Sequence, residues 1–238
     1  MPSSDHISRQ FDADLEAIRA SVLQMGGLVE SQIKSAIESL VSGNVALMNR
    51  VIEDDHRVNA MEVKIDEACS QVIARRQPAA GDLRLVMAVI KTITDLERIG
   101  DEAEKIARMA KLLSQKQGFA LPRYHEIKHA AEIALDMLRK SLDAFARLDV
   151  VMAAQVVRQD DQVDEEFRAI MRYLITFMME DPRTISTSLE ILFVAKAIER
   201  IGDHAKNMSE YVIYMVKGRD VRHITVDEIE QEIQQQST

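Results

Sequence analysis

The string Asp95-Leu96-Glu97-Arg98-Ile99-Gly100-Asp101-Glu102-Ala103 recurs as Ala197-Ile198-Glu199-Arg200-Ile201-Gly202-Asp203-His204-Ala205, 102 residues further along the chain. The run Glu-Arg-Ile-Gly-Asp is identical in both copies. Upstream, Asp55-His56-Arg57-Val58-Asn59 aligns with Asp160-Asp161-Gln162-Val163-Asp164 at a spacing of 105, and Pro78 aligns with Pro182 at 104. A spacing that drifts by a few residues is expected of a duplicated unit whose turns have changed length. The chain is one unit written twice.

Each unit reads as three long helices. Around the first copy of the motif, Leu85, Val89, Thr92, Leu96, Ile99, Ala103, Ile106, Ala110 and Leu113 alternate at spacings of four and three. Around the second, Ile191, Val194, Ile198, Ile201, Ala205, Met208, Val212 and Met215 do the same. Such a narrow apolar seam suits helices packed at a shallow angle in a bundle. The predicted helices are Ile7–Val41, Val45–Arg76 and Asp82–Gln117 in the first unit, then Pro122–Arg147, Asp149–Glu180 and Pro182–Lys217 in the second. Pro78 ends the second helix because a residue before proline disfavours α geometry. Gly118 would cap the third helix, and Pro122 would open the fourth. The expected architecture is all-α, a tandem repeat of two three-helix bundles. Residues 7–117 and 124–218 form the two units, and a polar tail over 219–238 is expected to fray.

Composition agrees with this reading. Among 238 residues there are only 8 glycines and 4 prolines, about 5% of the chain, against roughly 12% in average usage. A fold rich in hairpins needs turn residues that are missing here. Aromatic residues are 4% and tryptophan is absent, while 47% apolar residues suffice for a sizeable core. The net charge of −9 argues against nucleic-acid binding, which needs a basic face to displace counterions. Cys69 is the sole cysteine, so neither an intrachain disulfide nor a thiolate metal cage can form. It reads as a small buried hydrophobe. Met1–Gln10 is polar and no apolar run approaches membrane-spanning length, so a cytosolic protein without membrane insertion is expected.

The chemistry lies in repeated carboxylates. Glu97 and Asp101 are four apart, so both leave one helix face about a turn from each other, and Glu199 and Asp203 repeat the arrangement. Two acids at this spacing repel in an isolated helix; a cation between them reverses the sign. The preceding helix offers a rung of matching pitch, Asp55 and Asn59 in the first unit and Asp160 and Asp164 in the second. Oxygen donors without thiolate or paired imidazole suit Mg²⁺, Mn²⁺, Ca²⁺ or iron. One metal site per unit is the expectation.

Other residues read more plainly. Gly100 and Gly202 sit in mid-helix, where glycine costs roughly 1 kcal/mol against alanine, and close approach of a neighbouring helix is the expected reason. Arg98 and Arg200 are expected to pair with acids on adjacent helices. His204 aligns with Glu102, so the two copies share no histidine ligand, and His56, His125, His129 and His223 read as surface residues. Most of the thirteen methionines, including Met208 and Met215, read as core filler. No phosphate-binding loop or nucleophile arrangement stands out. A di-iron oxidase of the ferritin-like type would need histidine three residues after the glutamate, where this chain has Gly100 and Gly202.

These strings, together with Arg75-Arg76-Gln77-Pro78-Ala79-Ala80-Gly81-Asp82-Leu83-Arg84 and Met179-Glu180-Asp181-Pro182-Arg183, resemble the PhoU family of phosphate-transport accessory proteins over residues 10–218. The resemblance implies tandem three-helix bundles, a homodimer and metal clusters held by a Glu/Asp-x-x-x-Asp motif. That motif falls on Glu97, Asp101, Glu199, Asp203, Asp160 and Asp164, with iron, zinc, magnesium or manganese as the ion. Asp55-x-x-x-Asn59 departs from it by ending in an amide, which points to a less complete first site. The resemblance further implies a non-enzymatic regulator that restrains the phosphate-starvation response and limits uptake. Its partners would be the ATPase of a phosphate ABC transporter and a sensor histidine kinase. The alternatives are a metal-binding scaffold or storage protein unconnected with phosphate and, less favoured, a carboxylate-bridged oxidase.

Overall fold

The computed structural model describes residues 9–115, 124–221 and 228. It contains six long helices: α1 (Arg9–Ser42), α2 (Val45–Arg76), α3 (Ala80–Ser114), α4 (Tyr124–Arg147), α5 (Val150–Glu180) and α6 (Ile185–Lys217). A single 3₁₀ turn, Pro182–Thr184, precedes α6 where an unbroken helix from Pro182 was expected. Asp181 accounts for the difference: its side chain accepts from the Arg183 backbone N–H and also pairs with the Arg183 guanidinium at 2.8 Å. The third helix starts two residues earlier and ends three earlier than predicted, with Gln115 as its cap. The expected roles of Gly118 and Pro122 fall outside the described residues. Of the tail, Val221 is buried, so the chain packs for a few residues past Gly218 rather than fraying at once.

The duplication extends to the turns. Asn44 caps α2 by accepting from Leu47 N–H, and Asp149 caps α5 by accepting from Val151 and Met152 N–H. These caps, 105 residues apart, each satisfy backbone donors that the first helical turn leaves open. The residue before each cap is left-handed: Gly43 at φ 66° and Leu148 at φ 55°.

Within each unit the three helices pack on one another, and the units meet mainly where α3 lies along α6, with α1 against α4 as a second seam. Pairings along α3 and α6 run in opposite senses. Arg84 approaches Gly218, the Lys91 ammonium lies over the Tyr211 ring, and Glu102 bonds Arg200. The two helices are therefore antiparallel, with Gly100 and Gly202 at about the same level. This central position overturns the narrow seam read from sequence. α3 buries Val86, Ala88, Ile93, Gly100, Glu102 and Ala107 beside the expected line, because it faces α1, α2 and α6 at once.

The α3–α6 seam carries polar groups that periodicity did not reveal. His204 Nδ1 donates to Asp95 Oδ1 at 2.6 Å, Asn207 Nδ2 donates to the same oxygen at 3.3 Å, and both Asp95 and His204 are buried. Arg200 forms its expected inter-helix ion pair, with buried Glu102 at 2.7 Å. Removing one partner of such a pair strands the other without solvent, whereas replacing both by apolar groups is often neutral. Asp95→Ala should therefore destabilise the protein by about 3–5 kcal/mol. Asp95→Leu/His204→Leu should recover most of that loss, as read from urea unfolding curves.

Candidate metal centre

In each unit the helix-two rung faces the helix-three motif. A Cβ built on Gly100 would lie 3.4 Å from Asp55 Oδ1, 3.3 Å from Val58 Cγ1 and 3.2 Å from Gln32 Oε1, so α2 and α1 both press on the middle of the first motif. A Cβ on Gly202 would meet only Val163, at 3.5 Å, an ordinary contact. Close approach thus explains Gly100 and not Gly202. Gly100→Ala should lower the unfolding midpoint by crowding Gln32, Val58 and Asp55. Gly202→Ala should leave it unchanged or raise stability by up to about 1 kcal/mol through helix propensity.

The carboxylates act on one another as the spacing implied. Burial, followed by the neighbouring charges of Asp101, Glu62 and Asp55, holds the Glu97 carboxyl above its ordinary value. Asp101 is raised by loss of solvent and then by Asp55, Glu104 and Glu102. In the second unit, burial and then Glu199 and Asp160 push Asp203 up to about 6. Burial first and then the neighbouring acids disfavour the charged carboxylates here, and a cation would offset both.

The side chains do not yet enclose an ion. Among the described residues, no three His, Cys, Asp or Glu side chains converge closely enough to hold one. In the second unit the acids turn to their own bases: Lys206 Nζ to Asp160 Oδ2 at 2.7 Å, Lys196 Nζ to Glu199 Oε2 at 2.6 Å and Arg168 to Asp164 at 2.8 Å. In the first, Asn59 Nδ2 and Gln32 Nε2 donate to Asp55, at 3.1 and 3.4 Å. This uses both amide nitrogens and leaves Gln32 Oε1 and Asn59 Oδ1 buried without partners among the described residues. The donor set, all oxygen and including two orphaned amide oxygens, fits a hard cation.

Sequence reasoning missed Gln32, Glu62, Lys196 and Lys206. The signal was present in the repeat itself. Applying the same offsets sets Lys206 opposite Glu104, Lys196 opposite Thr94 and Met137 opposite Gln32. His204, set aside as a ligand, is occupied in the α3–α6 seam, and His56, His125 and His129 are exposed, as expected. His223 lies outside the described residues. Cys69 is fully buried, with its thiol pushed up to about 12 by burial and by Asp66. Arg98 is exposed and acts on its own motif, where its charge partly offsets the rise at Glu97 and Asp101.

Asp203 provides a pH test. Its native value of about 6 lies above the ordinary 3.8. The folded state therefore binds a proton that the unfolded state has already released between those values, and stability falls as pH rises through that window. In metal-free buffer, Asp203→Asn should melt several degrees above the parent at pH 7.5, and the gap should close as the pH falls from about 6 towards 3.8.

Comparison with known proteins extends the internal repeat to a family. The PhoU domain model matches twice, over residues 22–110 and 127–212, each inside one three-helix unit. The phosphate-specific transport system accessory protein PhoU of Escherichia coli is 49% identical over 227 residues, covering 94% of this chain and 92% of that protein. The PhoU homolog of Pseudomonas putida is 47% identical over 229 residues, covering 96% and 89% respectively. The crystal structure of PhoU from Pseudomonas aeruginosa superposes with a TM-score of 0.85 at 46% identity, covering 88% of this chain and all of that one. A phosphate transport system regulatory protein PhoU from Streptococcus pneumoniae superposes at 0.83 with 27% identity, covering 89% and 99%. The duplicated bundle, the paired motifs and these matches agree: the chain belongs to the PhoU family.

Proposed function

We propose that the protein regulates phosphate transport as a cytoplasmic, non-catalytic adaptor. It contacts the ATPase of a phosphate ABC transporter and a sensor histidine kinase, restraining the starvation response and phosphate uptake when phosphate is plentiful. The observation that carries this reading is near-full-length similarity, across both units, to proteins named as accessory to the phosphate-specific transport system. Two physical features support action by contact. No helix among the described residues is long and apolar enough to cross a membrane. On α6, Ile185, Leu189 and Phe193 stand four apart and exposed, with Met179 at the end of α5 exposed to 80%. Large apolar side chains gathered in this way suit a surface that meets other proteins. A homodimer belongs to the same reading.

The carboxylate faces complete it. Glu97, Asp101, Asp55 and Asn59 in the first unit, and Glu199, Asp203, Asp160 and Asp164 in the second, would hold iron, zinc, magnesium or manganese once their side chains turn inward. A bound ion would supply positive charge to an otherwise acidic face and open coordination positions for an anionic group. The chain's own part is to set two helices side by side at matching pitch and to keep the ligands' far sides dry.

Deleting the gene should leave phosphate-starvation genes expressed in high phosphate. The purified protein should retain the transporter ATPase and the kinase cytoplasmic domain in pull-downs. Normal repression in the deletion strain, or failure to retain either partner, would count against the adaptor reading.

A further inference from the structure

The two carboxylate faces are built on one template, and they differ in the bases set around them. In the second unit each helix-two acid and Glu199 already has a base. Lys206 reaches across from α6 to the buried Asp160 at 2.7 Å. Lys196 holds Glu199 at 2.6 Å while its ammonium lies 5.4 Å from the centre of the Phe167 ring, a cation–π contact that fixes the lysine over the site. Arg168 holds Asp164.

The first unit has neither lysine. Glu104 stands where the second has Lys206, Thr94 where it has Lys196, and Glu62 where it has Phe167. Thr94 Oγ1 donates to Glu62 Oε1 at 3.2 Å, so even this substitute leaves the acid's charge in place. Two exposed bases lie nearby, Arg98 within the motif itself and Arg108 bonded to Glu104.

A second, independent difference lies underneath. Gln32 is 2% exposed, and its carboxamide is oriented by two acceptors, with Nε2 donating to Val51 O at 3.3 Å and to Asp55 Oδ1 at 3.4 Å. That orientation turns Oε1 towards Gly100 of the first motif, where it has no partner among the described residues. A buried, unsatisfied oxygen is destabilising, a penalty that a cation at this point would remove. The matching position in the second unit is Met137, fully buried, with no oxygen to offer.

We infer that the two faces load unequally: the first unit is the primary cation site, and Lys196 and Lys206 act as built-in counterions that hold the second closed. This rests on the reading that the carboxylate faces bind metal. To enter the second face, a cation must displace two ammonium groups from their carboxylates and then sit beside them. At the first face it relieves acid–acid repulsion directly.

The test is a titration of the full chain, stripped with chelator and dialysed, with Mn²⁺, following heat and the free-ion resonance signal. Parent protein should show two classes of sites, the tighter by at least about tenfold, a difference of roughly 1.4 kcal/mol. Glu97→Gln/Asp101→Asn should abolish the tight class, and Glu199→Gln/Asp203→Asn should spare it. Lys206→Glu, which copies the first unit, should bring the second class to within a few-fold of the first. Gln32→Met should weaken the tight class alone, with circular dichroism confirming that each variant is folded. Equal classes in the parent, or loss of the tight class on changing the second unit, would overturn the inequivalence while leaving metal binding intact. Absence of Mn²⁺ binding at millimolar concentration would overturn the metal reading itself.

Discussion

The antiparallel contact of α3 with α6 is the constraint on which the molecule depends. Each helix is the third of its unit, each carries the motif, and each buries a long run of apolar residues. Their contact places Gly100 and Gly202 at one level, back to back, with their carboxylates turned outward against α2 and α5. Polar groups fix the register of this contact. Asp95 with His204 and Glu102 with Arg200 are satisfied only when the helices stand as they do. A slip of one turn would leave buried charges unpaired at a cost of several kcal/mol. The apolar residues would tolerate such a slip far more easily.

From this arrangement the two faces inherit the same backbone geometry with different chemistry. Duplication supplied two copies of a strained feature, acids a turn apart facing acids on the next helix. One copy carries lysines on its own helix that reach its acids, and the other has a buried amide beneath its motif. Asn59, which in the sequence marks the first motif as the incomplete one, works differently in the fold. Its nitrogen supports Asp55 and its oxygen remains free. An amide here holds the carboxylate in place without adding another negative charge.

Much of this was legible in the residues. Helix type and number followed from the four-three spacing and the scarcity of turn residues, and α2 matched its expected limits of Val45 and Arg76. The duplication followed from the two identical strings, and the pairing of Asp55 with Glu97 and Asp101 followed from equal pitch on successive helices. Other features were hidden for physical reasons. A lone 3₁₀ turn at Pro182 depends on the Asp181–Arg183 contact, which no periodicity encodes. The burial of Asp95 and Glu102 depends on partners more than 90 residues away, which no local pattern reveals. Lys196 and Lys206 fall where the copies differ, opposite Thr94 and Glu104, so the identical strings do not mark them.

The most direct measurement is anomalous diffraction at the manganese edge from crystals of the metal-free protein soaked in Mn²⁺. The strongest anomalous peak is expected on the first unit, among Asp55, Glu97, Asp101 and the oxygen of Gln32, with a weaker or absent peak beside Glu199 and Asp203. A strongest peak on the second unit, or peaks away from both carboxylate faces, would contradict this expectation.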